Sequence, residues 1–160
     1  MVPFRVGFGY DVHVFAVNRE LWLGGVKIEH TEGLLGHSDA DVLIHALCDA
    51  ILGAAALRDI GYHFPDTAGE YKNIDSKILL VRTMELLRKA GYEFGNADCT
   101  VAAEAPKLNP HIPKMQETLA GVMQVSPNTI SIKATTSEKV GFVGRKEGMA
   151  AYATVLIYRK

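Results

Sequence analysis

The sequence contains few cysteines, and this scarcity limits the kinds of protein it can be. Cys48 and Cys99 are the only two among 160 residues, and they lie far apart and outside any Cys-x-x-Cys motif. A disulfide framework needs more cysteines than this, so we expect a reducing compartment and a cytoplasmic location. We expect both thiols to act as small apolar residues within regular secondary structure.

The chain also lacks an excess of charge of either sign and any long apolar run. Its 17 Lys and Arg residues against 18 Asp and Glu residues give a net charge of −1, whereas generic nucleic-acid binding needs a basic excess. The longest apolar stretch, 42–57, contains His45 and Asp49 and falls short of the ~20 residues of a membrane span. Residues 1–5 enter a strand pattern at once, which predicts no signal peptide. We therefore expect neither a nucleic-acid nor a membrane partner.

What is present is the pattern of a small mixed domain, 48% hydrophobic, predicted as one catalytic unit over residues 1–160. Strands are predicted over 5–13, 97–104, 129–135 and 149–158, and Gly24-Gly25 predicts a hairpin. One helix is predicted from an N-cap at Ser38 to about residue 56. Two further helices are predicted over 76–90 and 113–123. Strands and helices mix without strict alternation. This predicts an α+β fold, a single-domain two-layer sandwich with a mixed β-sheet and helices on one face.

Six histidines in so short a chain direct attention to metal and phosphate chemistry. Asp11 and His13 stand two apart in a predicted strand, so their side chains point to the same face. They form either a two-ligand platform for a metal or a pair of polar strand-end residues facing water.

The first predicted helix supplies a further histidine. Asp41, His45 and Asp49 lie along one stripe of its surface. His45 is either a core histidine hydrogen-bonded to Asp49 or Asp41, or a metal ligand whose second nitrogen is oriented by a carboxylate. Together with Asp11 and His13 it would leave the fourth position of a tetrahedral zinc open, as in catalytic sites.

Phosphate-binding candidates lie at two further places. His37 and Ser38 stand at the start of the first helix, where unpaired N–H groups favour an anion, or they belong to an exposed loop. The hydroxyl-rich segment 135–138 could contact phosphates, with Glu138 holding a cation such as magnesium, or it is a plain strand exit. We expect the other histidines at surface or loop positions: His30, His63 and His111. The sequence contains no Walker A motif, and Val12 occupies the third glycine position of a dinucleotide fingerprint.

Short motifs spread over the whole chain carry a resemblance to a known family. They are GYDVH at 9–13, GHSDADV at 36–42, GAAAL at 53–57, DIG at 59–61, FPDT at 64–67, APK at 105–107, KATT at 133–136 and GRKEG at 144–148. In this order they resemble the 2-C-methyl-D-erythritol 2,4-cyclodiphosphate synthases of non-mevalonate isoprenoid biosynthesis. The resemblance implies an α+β homotrimer with active sites between subunits and a central channel that could take an isoprenoid phosphate.

The resemblance also implies roles for residues at matching positions. Asp11, His13 and His45 match zinc ligands, and Glu138 matches the ligand of a second ion, magnesium or manganese. His37 and Ser38 match phosphate contacts, with His37 and Thr136 assigned to transition-state stabilisation. The set matching the cytidine pocket is Ala103, Glu104, Ala105, Pro106, Lys107, Leu108, Asn109, Ala134, Thr135 and Thr136, with Ser137 following it. The set matching the loop over the erythritol part is Asp59, Ile60, Gly61, Phe64, Pro65, Asp66, Thr67 and Ala68.

Phe142 and Arg145 match a loop near the phosphates and the central channel. Some positions depart from the family pattern: Ala68 replaces a frequent acidic residue, Ser137 a frequent threonine, and Val143 and Lys146 alter the last glycine-containing loop. None of them is a predicted metal ligand.

The implied reaction closes 4-diphosphocytidyl-2-C-methyl-D-erythritol 2-phosphate into a cyclic diphosphate and releases CMP. Its attacking phosphate oxygen is already anionic, which agrees with a site of ligands and donors without an activated Ser or Cys. Two other classes remain open: a mononuclear zinc hydrolase with the same ligands, and a phosphometabolite-binding or isoprenoid-binding module without turnover.

Overall fold

A five-stranded mixed β-sheet organises the chain in the computed structural model, which describes residues 3–160. Its strands, with a separate two-stranded hairpin, are β1 (Phe4–Ala16), β2 (Leu21–Leu23), β3 (Val26–Ile28), β4 (Gly33–Leu34), β5 (Tyr92–Ala102), β6 (Ile130–Thr135) and β7 (Gly148–Arg159). The helices are α1 (Val42–Ala54), α2 (Ile60–His63), α3 (Ser76–Lys89), α4 (Ile112–Met123) and α5 (Gly141–Gly144). Three short 3₁₀ turns lie at Gly69–Tyr71, Asn109–His111 and Pro127–Thr129.

The strand order in the sheet is β4-β1-β7-β5-β6, and β2 pairs with β3 in the hairpin predicted around Gly24-Gly25. Among the described residues of the sheet, β5 and β6 are the one pair of neighbouring strands that runs parallel. Strand β1 pairs with β7 along most of its length, from Phe4 opposite Tyr158 to Val14 opposite Gly148. The mixed sheet with helices confirms the predicted α+β class.

Strand β1 has two unlike faces, and the difference positions the rest of the molecule. Gly7 and Gly9 face α1, where an added Cβ would overlap the carbonyl oxygens of Ala50 and Ala46. The opposite face carries large apolar side chains that are exposed in the single chain: Phe4, Val6, Phe8, Tyr10, Val12 and Val14. The glycines therefore allow α1 to lie unusually close to β1.

The core lies between the sheet and helices α1, α3 and α4. Helix α1 is buried at most positions because it is covered by β1 and β7 on one side and α3 on the other. Its apolar side chains join those of the neighbouring helices and of β7 in one cluster, including Leu47, Met84, Leu119 and Val155. Cys48 and Cys99 are buried free thiols in α1 and β5, as predicted.

Some element boundaries differ from the predictions. The N-cap of α1 is Asp41 rather than Ser38, because the Asp41 carboxylate accepts a hydrogen bond from the N–H of Ile44. Strand β5 begins at Tyr92 rather than residue 97, since Tyr92 and Phe94 already alternate into the core before an irregularity in the pairing at Gly95. The predicted loop at 59–67 contains the single-turn helix α2. Within residues 3–160, no helix has both the length and the apolar character that a membrane span needs.

Candidate functional site

Asp11, His13 and His45 meet where β1 passes over α1. An Asp11 carboxylate oxygen, Oδ2, lies 2.9 Å from His13 Nε2 and 3.1 Å from His45 Nδ1, and the two ring nitrogens are 3.2 Å apart. One ligand atom from each residue lies within 4.8 Å of the others. Asp11 and His13 thus share one face of the strand, as their spacing predicts, and the three side chains could hold a metal ion.

The electrostatics of this cluster keep its carboxylate ionised. Burial alone would raise the pKa of Asp11, but hydrogen bonds and positive charge from His13 and His45 outweigh it and lower the pKa to about 2. Burial opposes protonation of His45, yet the neighbouring Asp11 carboxylate raises the pKa of this imidazole. A carboxylate that is ionised at neutral pH is ready to act as a metal ligand.

Both imidazoles are held by groups outside the cluster. His13 Nδ1 lies 2.9 Å from the carbonyl oxygen of Leu35, which leaves its Nε2 directed at Asp11. His45 Nε2 lies 3.1 Å from Ser38 Oγ and 2.9 Å from Ser76 Oγ. Such outer hydrogen bonds are the usual way in which metal-binding histidines are oriented.

The carboxylate partners predicted for His45 on its own helix are wrong. Asp41 lies at the N-cap and accepts backbone N–H groups from Gly24, Gly25 and Ile44, while Asp49 accepts the N–H of Ile60. The second nitrogen of His45 contacts hydroxyl oxygens instead. The contact from Ser76 comes from another helix, and nothing in the local sequence pattern around His45 signals it.

A cavity of about 190 Å³ opens beside the cluster. Its lining includes the three candidate ligands together with His37, Ser38, Ile60, Gly61, Phe64 and Asp66. The Nε2 atom of His37 is itself buried and has no hydrogen-bond partner among the described residues. The structure therefore brings the predicted phosphate contacts and half of the predicted erythritol loop to one cavity. Other residues of that loop are not part of its lining: Asp59, Pro65, Thr67 and Ala68.

A second cavity of about 390 Å³ lies between the end of β5 and the end of β6. It contains most of the residues expected at the cytidine end, namely Ala103, Glu104, Pro106, Lys107, Leu108, Asn109, Ala134, Thr135 and Thr136, whereas Ala105 is not in its lining. The first cavity and this one share no lining residue. Within one chain, the candidate metal cluster and the candidate nucleotide pocket are therefore separate.

The loop after β6 is held against the second cavity by Glu104, which sequence reasoning placed only among the pocket residues. Its Oε1 atom accepts the backbone N–H groups of Ser137 and Lys139, each at 3.1 Å. Glu138 and Lys139 both have positive φ, at 53° and 62°, so the turn is tight. Glu138 itself is exposed and lines neither cavity, and neither do Phe142 and Arg145. Arg145 instead pairs with Glu147 at 3.2 Å.

The remaining histidines do not join the metal cluster. His30 packs against the ring of Phe15, His63 contacts the carbonyl oxygen of Leu57, and His111 lies in a 3₁₀ turn. All three are half-buried positions outside the main helices and sheet strands.

Comparison with curated proteins reveals close relatives over nearly the full length. The chain is 77% identical over 155 residues to the 2-C-methyl-D-erythritol 2,4-cyclodiphosphate synthase of Parabacteroides distasonis. That match covers 97% of this chain and 96% of the relative. It is 69% identical over 153 residues to the protein of the same name from Bacteroides thetaiotaomicron, and this match covers 96% of each chain.

Solved structures agree with this relationship. A Plasmodium falciparum IspF in complex with CDP superimposes with a TM-score of 0.87 at 34% identity, covering 100% of this chain and 99% of that one. The bifunctional IspDF of Campylobacter jejuni matches with a TM-score of 0.95 at 46% identity, and there the match covers 98% of this chain but 42% of the longer protein. The YgbB family model matches residues 4–158. The chain thus belongs to the YgbB family, and the resemblance to the 2-C-methyl-D-erythritol 2,4-cyclodiphosphate synthases is confirmed.

Proposed function

We propose that this chain converts 4-diphosphocytidyl-2-C-methyl-D-erythritol 2-phosphate to 2-C-methyl-D-erythritol 2,4-cyclodiphosphate and CMP. This is a lyase-type, intramolecular phosphoryl transfer in isoprenoid precursor biosynthesis, and it is the activity for which the relatives are named. The observation that carries the proposal is the convergence of Asp11, His13 and His45 beside a cavity that also contains His37 and Ser38. A metal-binding cluster next to side chains that can contact phosphate is what this reaction requires.

The cluster fits zinc by the chemistry of its donors. Two imidazole nitrogens and one carboxylate oxygen are three ligands of the types that zinc takes in catalytic sites, with a fourth position left for substrate. When bound, zinc supplies Lewis-acid polarisation of a phosphate oxygen. The low pKa of Asp11 favours the ligand form of that side chain at neutral pH.

The second ion, magnesium or manganese, is proposed at Glu138. This side chain is exposed at the tip of the tight turn that Glu104 supports. Magnesium commonly binds through one or two carboxylates, with phosphates and water completing its ligands. A single carboxylate near a diphosphate therefore suffices for such a site.

The remaining residues act by binding and orientation. The substrate is a flexible chain, and holding its 2-phosphate close to its diphosphate can supply up to ~7–11 kcal/mol of the barrier. His37 lines the cavity beside the metal cluster, and Thr136 lines the second cavity. The attacking oxygen is already anionic, so the site needs no strong general base, and we assign His37 and Thr136 to stabilising charge in the transition state.

We further propose that the chain works as a homotrimer with active sites between subunits. The apolar side chains of β1 are exposed over a continuous face, with Phe8 at 64% and Val6 at 61% exposure. Such a face marks a surface that another protein chain covers. Because the two cavities of one chain share no lining residue, a neighbouring copy is the simplest source of the missing half. By family resemblance, an isoprenoid phosphate could bind in the central channel near Phe142 and Arg145.

The decisive experiment incubates the full chain with the substrate, zinc and magnesium, and detects products by mass spectrometry. We expect CMP and the cyclic diphosphate, and we expect neither from Asp11→Ala or His13→Ala protein that remains folded by circular dichroism. Release of inorganic phosphate without CMP would indicate a zinc hydrolase instead. Substrate binding without any product would indicate a binding module, and full activity in the zinc-free variants would refute the role of the cluster.

A further inference from the structure

His45 is connected to the half-buried carboxylate of Asp39 through the side chain of Ser76. Ser76 is fully buried at the start of α3, and its hydroxyl oxygen lies 2.9 Å from His45 Nε2. The same hydroxyl forms a short hydrogen bond to Asp39 Oδ1. Asp39 also accepts the backbone N–H of Ser76 at 2.9 Å and that of Asp41 at 3.1 Å. Helix α3 and the segment before α1 are thereby tied together behind the metal cluster.

The direction of these hydrogen bonds follows from counting hydrogens. A carboxylate that already accepts two backbone N–H groups has no hydrogen to give, so the Ser76 hydroxyl donates to Asp39. A hydroxyl carries one hydrogen, so its oxygen can only accept from His45. Nε2 of His45 must then carry a hydrogen, and in the neutral ring Nδ1 is left with a free lone pair. Nδ1 lies 3.1 Å from Asp11 Oδ2 and 3.2 Å from His13 Nε2, so with a metal in the cluster this lone pair would be its donor, in place of the hydrogen bond to Asp11.

We propose that Ser76 and Asp39 are positioning residues that hold His45 as the Nε2–H tautomer, with Nδ1 presented to the metal. The inference rests on the metal site proposed above. It differs from the usual arrangement, in which a carboxylate or a carbonyl contacts the histidine directly, because here a serine hydroxyl stands between the two.

The hydrogen on His45 Nε2 also restricts the direction of the Ser38 hydroxyl. Its oxygen accepts the N–H of Ala40 at 3.2 Å and lies 3.1 Å from His45 Nε2. Since Nε2 already carries a hydrogen, the hydroxyl hydrogen of Ser38 cannot point at it. That hydrogen is free to turn into the cavity that Ser38 lines, where a phosphate oxygen is the natural acceptor.

The test compares zinc affinities of the full chain by competition with a chromogenic chelator. Ser76→Ala removes the hydroxyl but keeps the backbone N–H bond to Asp39, so the fold should persist. We expect zinc to bind about 10- to 100-fold more weakly, the usual effect of losing an outer hydrogen bond to a metal ligand. Ser76→Thr keeps the hydroxyl and should restore most of the affinity.

Thr83→Val is the matched control. Thr83 lies two turns further along α3, is equally buried, and has a hydroxyl without a hydrogen-bond partner. Its replacement should leave zinc affinity unchanged. A second measurement is nitrogen-15 NMR of the zinc-loaded chain with labelled histidine. The His45 Nε2–H should exchange slowly with water in the parent and rapidly in Ser76→Ala.

We call the hydrogen-bond chain from Asp39 through Ser76 to His45 the relay. Three results separate failure of the relay from failure of the proposed metal site. If the parent chain binds no zinc, the proposed metal site is wrong and the relay falls with it. If the parent binds zinc and Ser76→Ala binds it equally well, the relay alone is overturned. An equal loss of affinity in Thr83→Val would also overturn it, because the effect would then come from packing in α3 rather than from His45.

Discussion

At the scale of single residues, Asp41 connects two segments that are distant in sequence. Its fully buried carboxylate accepts the N–H groups of Gly24 at 3.0 Å and Gly25 at 2.7 Å from the hairpin turn. It also accepts the N–H of Ile44 at 3.0 Å and so caps α1. One side chain thereby fixes both the hairpin and the helix that carries His45.

Asp41→Ala should lower the free energy of unfolding by about 3 kcal/mol or more, because buried N–H groups lose their acceptor at ~1–3 kcal/mol each. Urea denaturation followed by circular dichroism measures this change. Asp98→Ala is the control, since Asp98 is an exposed carboxylate paired with Lys133 and should change stability by at most ~1 kcal/mol. Equal effects of the two variants would contradict the linking role of Asp41.

The buried thiols predict how stability depends on alkaline pH. Burial raises the pKa of Cys48 and of Cys99 from 9.0 to about 12 in the folded chain. Below pH 9 both states keep their thiol protons and no dependence arises. Between pH 9 and 12 the unfolded chain loses these protons first, so the free energy of unfolding falls by roughly 1 kcal/mol per thiol at pH 10.

Denaturation at pH 8 and pH 10 in parent and Cys99→Ala protein tests this expectation. Tyrosines and lysines titrate in the same range, so the difference between the two proteins isolates the thiol. The variant should lose less stability between the two pH values than the parent does. An equal loss would show that Cys99 is accessible to water in the folded state.

At the scale of elements, the separation between β1 and α1 determines whether the metal cluster can form. Asp11 and His13 lie on the same face of β1 as Gly7 and Gly9, which pack directly on the α1 backbone. His45 projects from α1 at the neighbouring turn. The two glycines therefore control a distance on which the ligand geometry depends.

Gly9→Ala should weaken zinc binding and lower stability by about 1–3 kcal/mol, since its Cβ would overlap the Ala46 carbonyl and force α1 away. Gly53→Ala on α1 is the control, because its added Cβ meets nothing within 4 Å. That change should leave zinc affinity intact and raise stability by up to ~1 kcal/mol. Chelator competition and thermal unfolding on both variants supply the comparison.

How far the sequence could predict this site depends on the range of each contact. The two-residue period of a strand was enough to predict that Asp11 and His13 share a face, because this holds whatever the tertiary structure. The stripe on α1 predicted the wrong carboxylate partners for His45. Helical spacing cannot show that Asp41 caps the helix or that Asp49 accepts the N–H of Ile60. The contact with Ser76 spans 31 residues and depends on how α3 packs, which no local pattern encodes.

At the scale of the whole molecule, the two faces of β1 tie assembly to chemistry. One face carries two candidate metal ligands and the other carries the exposed apolar side chains. Tyr152 of β7 extends this apolar face, with its ring centroid 5.2 Å from that of Tyr10. The proposed trimer needs this face to be covered by neighbouring copies and the second cavity of one chain to meet the metal cluster of another.

Phe8→Glu should therefore convert the proposed trimer to monomers and abolish CMP release, because a charge on the apolar face cannot be buried without a partner. Analytical ultracentrifugation gives the oligomeric state, and the product assay gives the activity. Val81→Glu, at a 41% exposed position on α3, should preserve both. A stable and active monomer would overturn the shared site.

The pairing of β1 with β7 also has a consequence for the order of folding. These strands lie near opposite ends of the described chain, and the backbone N–H of Arg159 donates to the carbonyl oxygen of Pro3 at 3.0 Å. During synthesis, β1 therefore emerges long before its main partner strand exists. Because β1 lacks this pairing until β7 has been made, we expect the metal site to take its final geometry late in folding.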